Sequence, residues 1–251
     1  ADAVHLLLIR HGQSTNNALA NQGGNAYTTG RLPDPELTEL GHRQAHALAD
    51  WIPGVDPRPT HIYCSPMSRT LQTAAPMADA LDLPIGVKSM LHERPGPVQI
   101  TSDGPRAHPG SSRSVLAAHS PRAVLDPDIT EDGWYHDDIE TPAHAVERAN
   151  RIASWLISAH ADDDVVAWVG HGAIGALTLE TIIAPQRAAQ LADYPTGTEP
   201  WWFNLANTST SMIEIHPNSC EVHWINRVDH LVVAGMVHGA RASATGNPGT
   251  R

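Results

Sequence analysis

Arg10-His11-Gly12-Gln13-Ser14 follows directly on the apolar run Val4-His5-Leu6-Leu7-Leu8-Ile9. An imidazole at the end of a buried strand stands on a rigid support and faces the crevice that open α/β sheets form at the carboxyl ends of their strands. Neutral imidazole is a competent nucleophile near pH 7, so the position suits covalent catalysis, and Gly12 lets the chain turn behind it. Gly170-His171-Gly172 repeats the arrangement after a second apolar run, 165–169. Arg69 begins a helical pattern just after Cys64-Ser65-Pro66 and reaches the same edge if these strands are parallel. Two arginines and two histidines meeting there make a cationic pocket for a dianion such as a phosphoryl group.

The elements that must position these residues alternate along the chain. Strand 4–9 leads into the reactive loop, and the stretch 16–35, rich in Asn, Gly and Thr without apolar periodicity, reads as a long loop. Thr38 caps a helix to Ile52 in which Ala45, Leu48, Ala49 and Ile52 recur at helical spacing, and Pro53 stops it. Strand 60–64 follows, then a helix opened by Pro66 and running through Leu81 with a kink expected at Pro76, then strand 84–88. Residues 94–141 carry much Pro, Gly, Ser and Asp and read as an insertion over the site, with some short helix. Thr141-Pro142 begins a helix with Val146, Ala149, Ile152, Ala153, Leu156 and Ile157 inward, followed by strand 165–169 and a helix over 173–184. Strands 210–216 and 221–227 around Pro217-Asn218-Ser219 form an antiparallel hairpin at the sheet edge. This order predicts a three-layer α/β/α sandwich with a mostly parallel central sheet, one catalytic α/β domain over 1–241 and a flexible tail over 242–251.

Composition removes several function classes. The 251 residues are 41% hydrophobic and 17% charged, as in an ordinary globular domain, and no stretch approaches the ~18 apolar residues of a membrane span. A formal charge of −11 argues against nucleic acid and anionic membranes as partners, so any phosphate site must be a local cationic pocket. Lys88 is the single lysine, which leaves no P-loop or Schiff-base lysine for the chemistry. Cys64 and Cys220 are too few for a disulfide scaffold, and a reducing cytoplasm is the expectation.

Four blocks now carry a resemblance: Leu8-Ile9-Arg10-His11-Gly12-Gln13-Ser14 with Asn17; Leu37-Thr38-Glu39-Leu40-Gly41-His42-Arg43-Gln44-Ala45; Cys64-Ser65-Pro66-Met67-Ser68-Arg69-Thr70-Leu71-Gln72-Thr73-Ala74; and Gly170-His171-Gly172. In this order, over about residues 4–215, they resemble the histidine phosphatase superfamily, to which phosphoglycerate mutases also belong. The resemblance implies a phosphohistidine mechanism. His11 would attack phosphorus in line, while Arg10, Asn17, Arg69, His171 and the Gly172 turn hold the phosphoryl oxygens, with His171 protonated beside the dianion. It further implies a carboxylic acid in a Leu-x-Glu segment, which Leu91-His92-Glu93 matches, so Glu93 is expected to protonate the leaving group in a partly desolvated pocket. Glu140, ahead of the long helix, is the alternative. No metal and no cofactor are implied, and the expected partner is a small phosphorylated substrate, with a homodimer compatible.

Departures from the family pattern favour a phosphatase over a mutase. Gln13 stands where many relatives carry Glu, and Glu93 is followed by Arg94-Pro95-Gly96-Pro97 in place of the mutases' Arg-His-Tyr-Gly. Arg106, Arg113 and Arg122 are scattered and do not reproduce a phosphoglycerate-binding cluster. A metal-dependent hydrolase would need a ligand set, and His42 with His46, or His136-Asp137-Asp138, lacks convincing spacing. A noncatalytic phospho-ligand module would not need both a nucleophile and a candidate acid. Trp134-Tyr135 either lines the entrance or anchors the insertion to the core.

Overall fold

A computed structural model describes residues 3–200 and 202–236; the tail expected over 242–251 lies outside them. Strand β1 (Val4–Arg10) alternates its side chains across the sheet, burying Leu7 and Ile9 on one face and Leu6 and Leu8 on the other. Parallel neighbours follow from β7 (Val165–Gly170), β2 (His61–Cys64), β3 (Ile85–Val87) and β6 (Ala123–Leu125), while β8 (Thr210–His216) and β9 (Ser219–Arg227) complete the sheet antiparallel. The seven strands lie in the order β6-β3-β2-β7-β1-β8-β9. β7 is buried along its whole length, as a central parallel strand covered on both faces must be.

Helices α3 (Glu39–Trp51) and α4 (Ser68–Leu81) cover one face through Leu48, Leu71, Ala74 and Met77. The opposite face packs on α6 (Pro142–Ser158) and α7 (Gly172–Ile183) through Ala149, Ile152, Leu156, Ile174 and Leu177. The three-layer α/β/α sandwich is therefore as expected. Within α6 the inward stripe ends differently, since Ile157 is exposed while Trp155 packs on the core.

Two segments depart from the sequence reading. The stretch 16–35 is not a long loop: it holds helices α1 (Thr15–Gln22) and α2 (Ala26–Gly30). Ser14 starts α1 with a capping box, its side chain accepting from the Asn17 N–H while the Asn17 side chain accepts from the Ser14 N–H. Apolar periodicity is weak there because these helices lie over the site rather than on the core, and only the cap announces them.

The 94–141 segment is also more than a cover. It forms a separate hairpin of β4 (Val98–Thr101) and β5 (Gly104–Ala107) and a short helix α5 (Arg113–Ala117), then supplies β6, the edge strand of the main sheet. Trp134 and Tyr135 are buried in the core beneath it and so anchor it rather than line an entrance. The start of α4 slips from the expected Pro66 to Ser68, whose N–H and hydroxyl both donate to Asp34, at 2.9 and 2.7 Å. Ser111 donates to the same carboxylate at 2.5 Å, so Asp34 ties the 94–141 segment to the end of β2. The chain ends, among the described residues, in α8 (Pro185–Gln190) before the hairpin and α9 (Asp229–Val233) after it. No helix among these residues is long and apolar enough to cross a membrane.

Candidate active site

The carboxyl ends of β1, β2 and β7 bring His11, Arg69 and His171 together, because adjacent parallel strands end on one edge. The rings of His11 and His171 lie 5.3 Å apart, nearly edge to face. His11 Nδ1 is 2.6 Å from the carbonyl oxygen of Gly12, a geometry in which the ring donates its Nδ1–H and leaves Nε2 unprotonated as an acceptor. Arg69 Nε donates to that Nε2 at 3.2 Å. Burial, then Arg69, then Arg10, hold the His11 pKa well below the usual imidazole range, so the ring rests neutral.

Gly12 earns its place through space rather than turn freedom. A Cβ there would stand 2.7 Å from the carbonyl oxygen of Gly41, and a Cβ on Gly41 would stand 2.1 Å from that of Gln13. The two glycines let the start of α3 pack directly against the reactive loop. Gln13 does not enter the site; it accepts from the Thr38 hydroxyl at 2.8 Å and so secures the cap of α3.

Arg10 is buried and donates through one terminal nitrogen to the carbonyl oxygen of Leu205, while its Nε has no acceptor. Burial presses its pKa down, with Glu93 opposing and Arg69 adding to the effect. His171 is fully buried, its Nε2 2.7 Å from the Ser65 hydroxyl, and its Nδ1 has no partner. Burial, Arg69 and His11 hold its pKa well below the usual range, so the protein alone keeps it neutral; the protonated form expected for it needs the dianion in place. Buried donors without acceptors are costly unless something fills them. Arg10 Nε and His171 Nδ1, beside Arg69, therefore make a cradle suited to an oxyanion.

Asn17 joins the group from α1. Its side-chain oxygen accepts from the Ser14 N–H and from Asn207 at 3.2 Å, and the same Asn207 amide donates to the His11 carbonyl oxygen at 3.0 Å. Gly172 opens α7 against Arg10, where a Cβ would come within 3.5 Å of Arg10 Nε.

Glu93 also reaches the site, but its surroundings are not apolar. Its carboxylate accepts the main-chain N–H groups of Arg94, Ala173 and Ile174 at 2.9, 3.1 and 3.0 Å, which seats it on the first turn of α7 next to His171. Glu140 is held elsewhere: both its oxygens accept from Arg148 at 2.7 Å, and Arg148 also donates to the carbonyl oxygens of Met90 and His92. A carboxylate fastened in a buried bidentate pair is a poor proton donor, which weighs against the alternative assignment to Glu140.

Ser65 and Arg31 were not anticipated. Ser65 lies inside a quoted motif, and its place at the end of β2 was the available signal; its hydroxyl bridges His171 and Thr70. Arg31 sits in the stretch read from sequence as a loop, stacks over the Tyr27 ring at 5.2 Å and adds slightly to the lowering of the Arg69 pKa that burial mainly causes. The histidines weighed for a metal, His42 and His46, are exposed on the outer face of α3, and His136-Asp137-Asp138 is exposed as well.

The profile of the histidine phosphatase superfamily (branch 1) matches residues 6–228. The chain is 36% identical over 92 residues to the probable phosphoglycerate mutase GpmB of Yersinia pestis; the match spans 36% of this chain and about two fifths, 38%, of that relative's length. Among solved structures, a mycobacterial glucosyl-3-phosphoglycerate phosphatase bound to VO3 superposes with a TM-score of 0.54 at 18% identity, covering 89% of this chain and 99% of that one. An Escherichia coli protein described as a putative alpha-ribazole-5'-P phosphatase gives 0.55 at 19% identity, covering 89% and 96%.

Proposed function

Since the chain belongs to the histidine phosphatase superfamily, we propose that it is a phosphomonoester hydrolase working through a phosphohistidine on His11. The observation that carries this is the His11 Nε2 lone pair, kept unprotonated by the Nδ1 contact to Gly12, accepting from Arg69 and standing among Arg10, Arg69 and His171. In the first half-reaction Nε2 attacks phosphorus, the ester P–O bond breaks, and Glu93 delivers a proton to the departing alkoxide. In the second, Glu93 takes a proton from water as it attacks the phosphohistidine, releasing inorganic phosphate and restoring neutral His11. Charge on the equatorial oxygens is met by Arg10, Arg69, Asn17 and His171, so the reaction needs no divalent ion.

Hydrolysis is favoured over mutase chemistry by where Arg106, Arg113 and Arg122 stand. Arg106 pairs with Asp103 on the outer hairpin, Arg122 with Asp79 and Asp82, and Arg113 donates to carbonyl oxygens of Leu125, Asp126 and Ile129. None is free to bind a phosphoglycerate carboxylate. Two solved neighbours carry phosphatase descriptions, while the mutase reading rests on the 92-residue similarity to GpmB. The substrate is a small phosphorylated metabolite or phosphorylated residue. A reducing cytoplasm fits the two unpaired cysteines, Cys64 being buried with its thiol pushed up to about 12.

The test is to trap the intermediate. Denaturing the enzyme during turnover of a labelled phosphomonoester should leave label that survives base and is lost in acid, and His11→Ala should lower kcat by about 10³-fold or more. An acid-stable adduct, or full turnover by His11→Ala, would end the mechanism; isomerised phosphoester in place of free phosphate would restore the mutase reading.

A further inference from the structure

At the end of β1 away from the reactive loop, one carboxylate stands among three imidazoles. His5 of β1 is directly opposite Glu214 of β8, which is directly opposite Glu221 of β9. His216 and His223, each two residues along from these, share their face of the sheet. His5 Nε2 and His223 Nε2 lie 3.6 and 3.4 Å from Glu214 Oε2, and His216 Nε2 lies 3.2 Å from Glu214 Oε1. The ligand atoms of His5, Glu214 and His223 all fall within 4.8 Å of one another, and no other group of ligand side chains does so among the described residues. His5 Nδ1 is buried without a partner.

We propose that His5, Glu214 and His223 form a three-ligand zinc site whose fourth position is open to solvent, with His216 on the other carboxylate oxygen outside the set. The separations decide between two readings. At 3.4 and 3.6 Å the two imidazole nitrogens are beyond ordinary hydrogen-bond distance from Oε2. Ligands about 2.05 Å from a tetrahedral zinc are about 3.3 Å from one another, close to the 3.4 and 3.6 Å between each imidazole nitrogen and the carboxylate oxygen. Imidazole nitrogens with one carboxylate oxygen are a borderline-soft set that suits zinc, whereas calcium and magnesium require oxygen ligands throughout.

Three adjacent strands supply the donors, so the set is held by the sheet's own hydrogen bonds. An ion there ties the outer hairpin β8–β9 to β1. Five residues of extended chain, about 17 Å, separate His5 from Arg10, so the ion takes no part in phosphoryl transfer, and the inference does not depend on the proposed function.

Calorimetric titration of the metal-stripped full chain with zinc tests it, with His223→Ala, Glu214→Gln and the control double variant His42→Ala/His46→Ala run beside the wild type. His223 is partly exposed at the sheet surface, so its removal leaves the fold intact, as unchanged turnover would confirm. The expected result is one saturable zinc per chain, weakened about tenfold or more in both His223→Ala and Glu214→Gln and unchanged in the control. Cobalt in place of zinc should give a four-coordinate absorption spectrum that the same two variants lose. Absence of saturable binding, wild-type affinity in either site variant, or loss of binding in the control would overturn the site.

Discussion

At its carboxyl end β1 presents His11 to Arg10, Arg69 and His171; at its amino end it presents His5 to Glu214, His216 and His223. The side chain is the same, and both clusters use imidazole nitrogens held by neighbouring strands. What differs is the charge beside them. Guanidinium groups leave unanswered donors that call for an anion, whereas a carboxylate among lone pairs calls for a cation. A histidine count therefore says little about function in this chain until the company of each ring is known.

The largest effect that would sharpen this contrast concerns the carboxylates near the arginine-lined end. Glu93→Gln should slow alkyl phosphates by about 10²–10⁴-fold, since a poor leaving group needs the proton. Phosphoenzyme formation from an aryl phosphate should be slowed far less, because its leaving oxygen is already stable as an anion, and a burst measurement reads that step apart from hydrolysis. Glu140→Gln should behave otherwise. It leaves buried Arg148 without its bidentate partner and should cost about 3–5 kcal/mol of stability in urea unfolding while sparing the leaving-group dependence. If the two variants exchanged these phenotypes, the acid would be Glu140.

Next in size is the response of the fold to acid. Burial keeps His11, His92 and His171 well below the usual imidazole range, and His230 is lowered to about 4. Their folded-state values lie below those of the unfolded chain, so the stabilisation is complete above the unfolded pKa of about 6.5. As the pH falls below that value the unfolded chain takes up protons that the fold refuses. Stability should then fall by about 1.4 kcal/mol per pH unit for each such ring, for His230 until the pH reaches about 4. Urea midpoints between about pH 6.5 and about pH 5, above the carboxylate range, measure this. A flat profile would show that these rings take up protons within the fold.

The sheet and the residues on its reactive edge were legible because they obey short-range rules. Apolar strands of period two, helices with an apolar stripe and strand-end histidines beside glycine all show in a single window of sequence. Helices α1 and α2 were hidden because they cover a site and carry no core-facing stripe, leaving the Ser14–Asn17 cap as their one trace. Glu140 could not be dismissed from the chain because its partner Arg148 lies on the same helix face it precedes, and only coordinates show the bidentate pair. The Glu214 cluster was invisible for a different reason: its members lie on three strands, paired across 209 positions between His5 and Glu214. No spacing rule reaches that far.

A smaller effect tests how His171 is aimed. The Ser65 hydroxyl at Nε2 fixes which side of the ring meets the cradle, with Nδ1 the unpartnered nitrogen. Ser65→Ala should reduce kcat/KM by about tenfold, the loss of one buried hydrogen bond, and Ser65→Thr should recover part of it. An unchanged value would mean that packing alone orients the ring.

The smallest change expected in turnover comes from chelation, and it separates the two ends of β1 in one experiment. At the carboxyl end Arg10 and Arg69 supply positive charge for a phosphoryl group and His171 adds to it once the dianion is bound, so EDTA should leave kcat within about twofold. At the amino end the same treatment removes zinc, and with it the stabilisation a bound ligand confers by mass action, about 2.7 kcal/mol at a zinc concentration of 100 Kd. For a domain of this size that is roughly 5–10 °C in Tm, readable by calorimetry on the same sample. Turnover lost to EDTA and restored by one metal would place the cation at the phosphate end and undo the contrast. A Tm unmoved by saturating zinc would remove the second cluster from it, leaving His5, Glu214 and His223 as neighbours on a sheet surface and the arginine-lined pocket as the one ion site on β1.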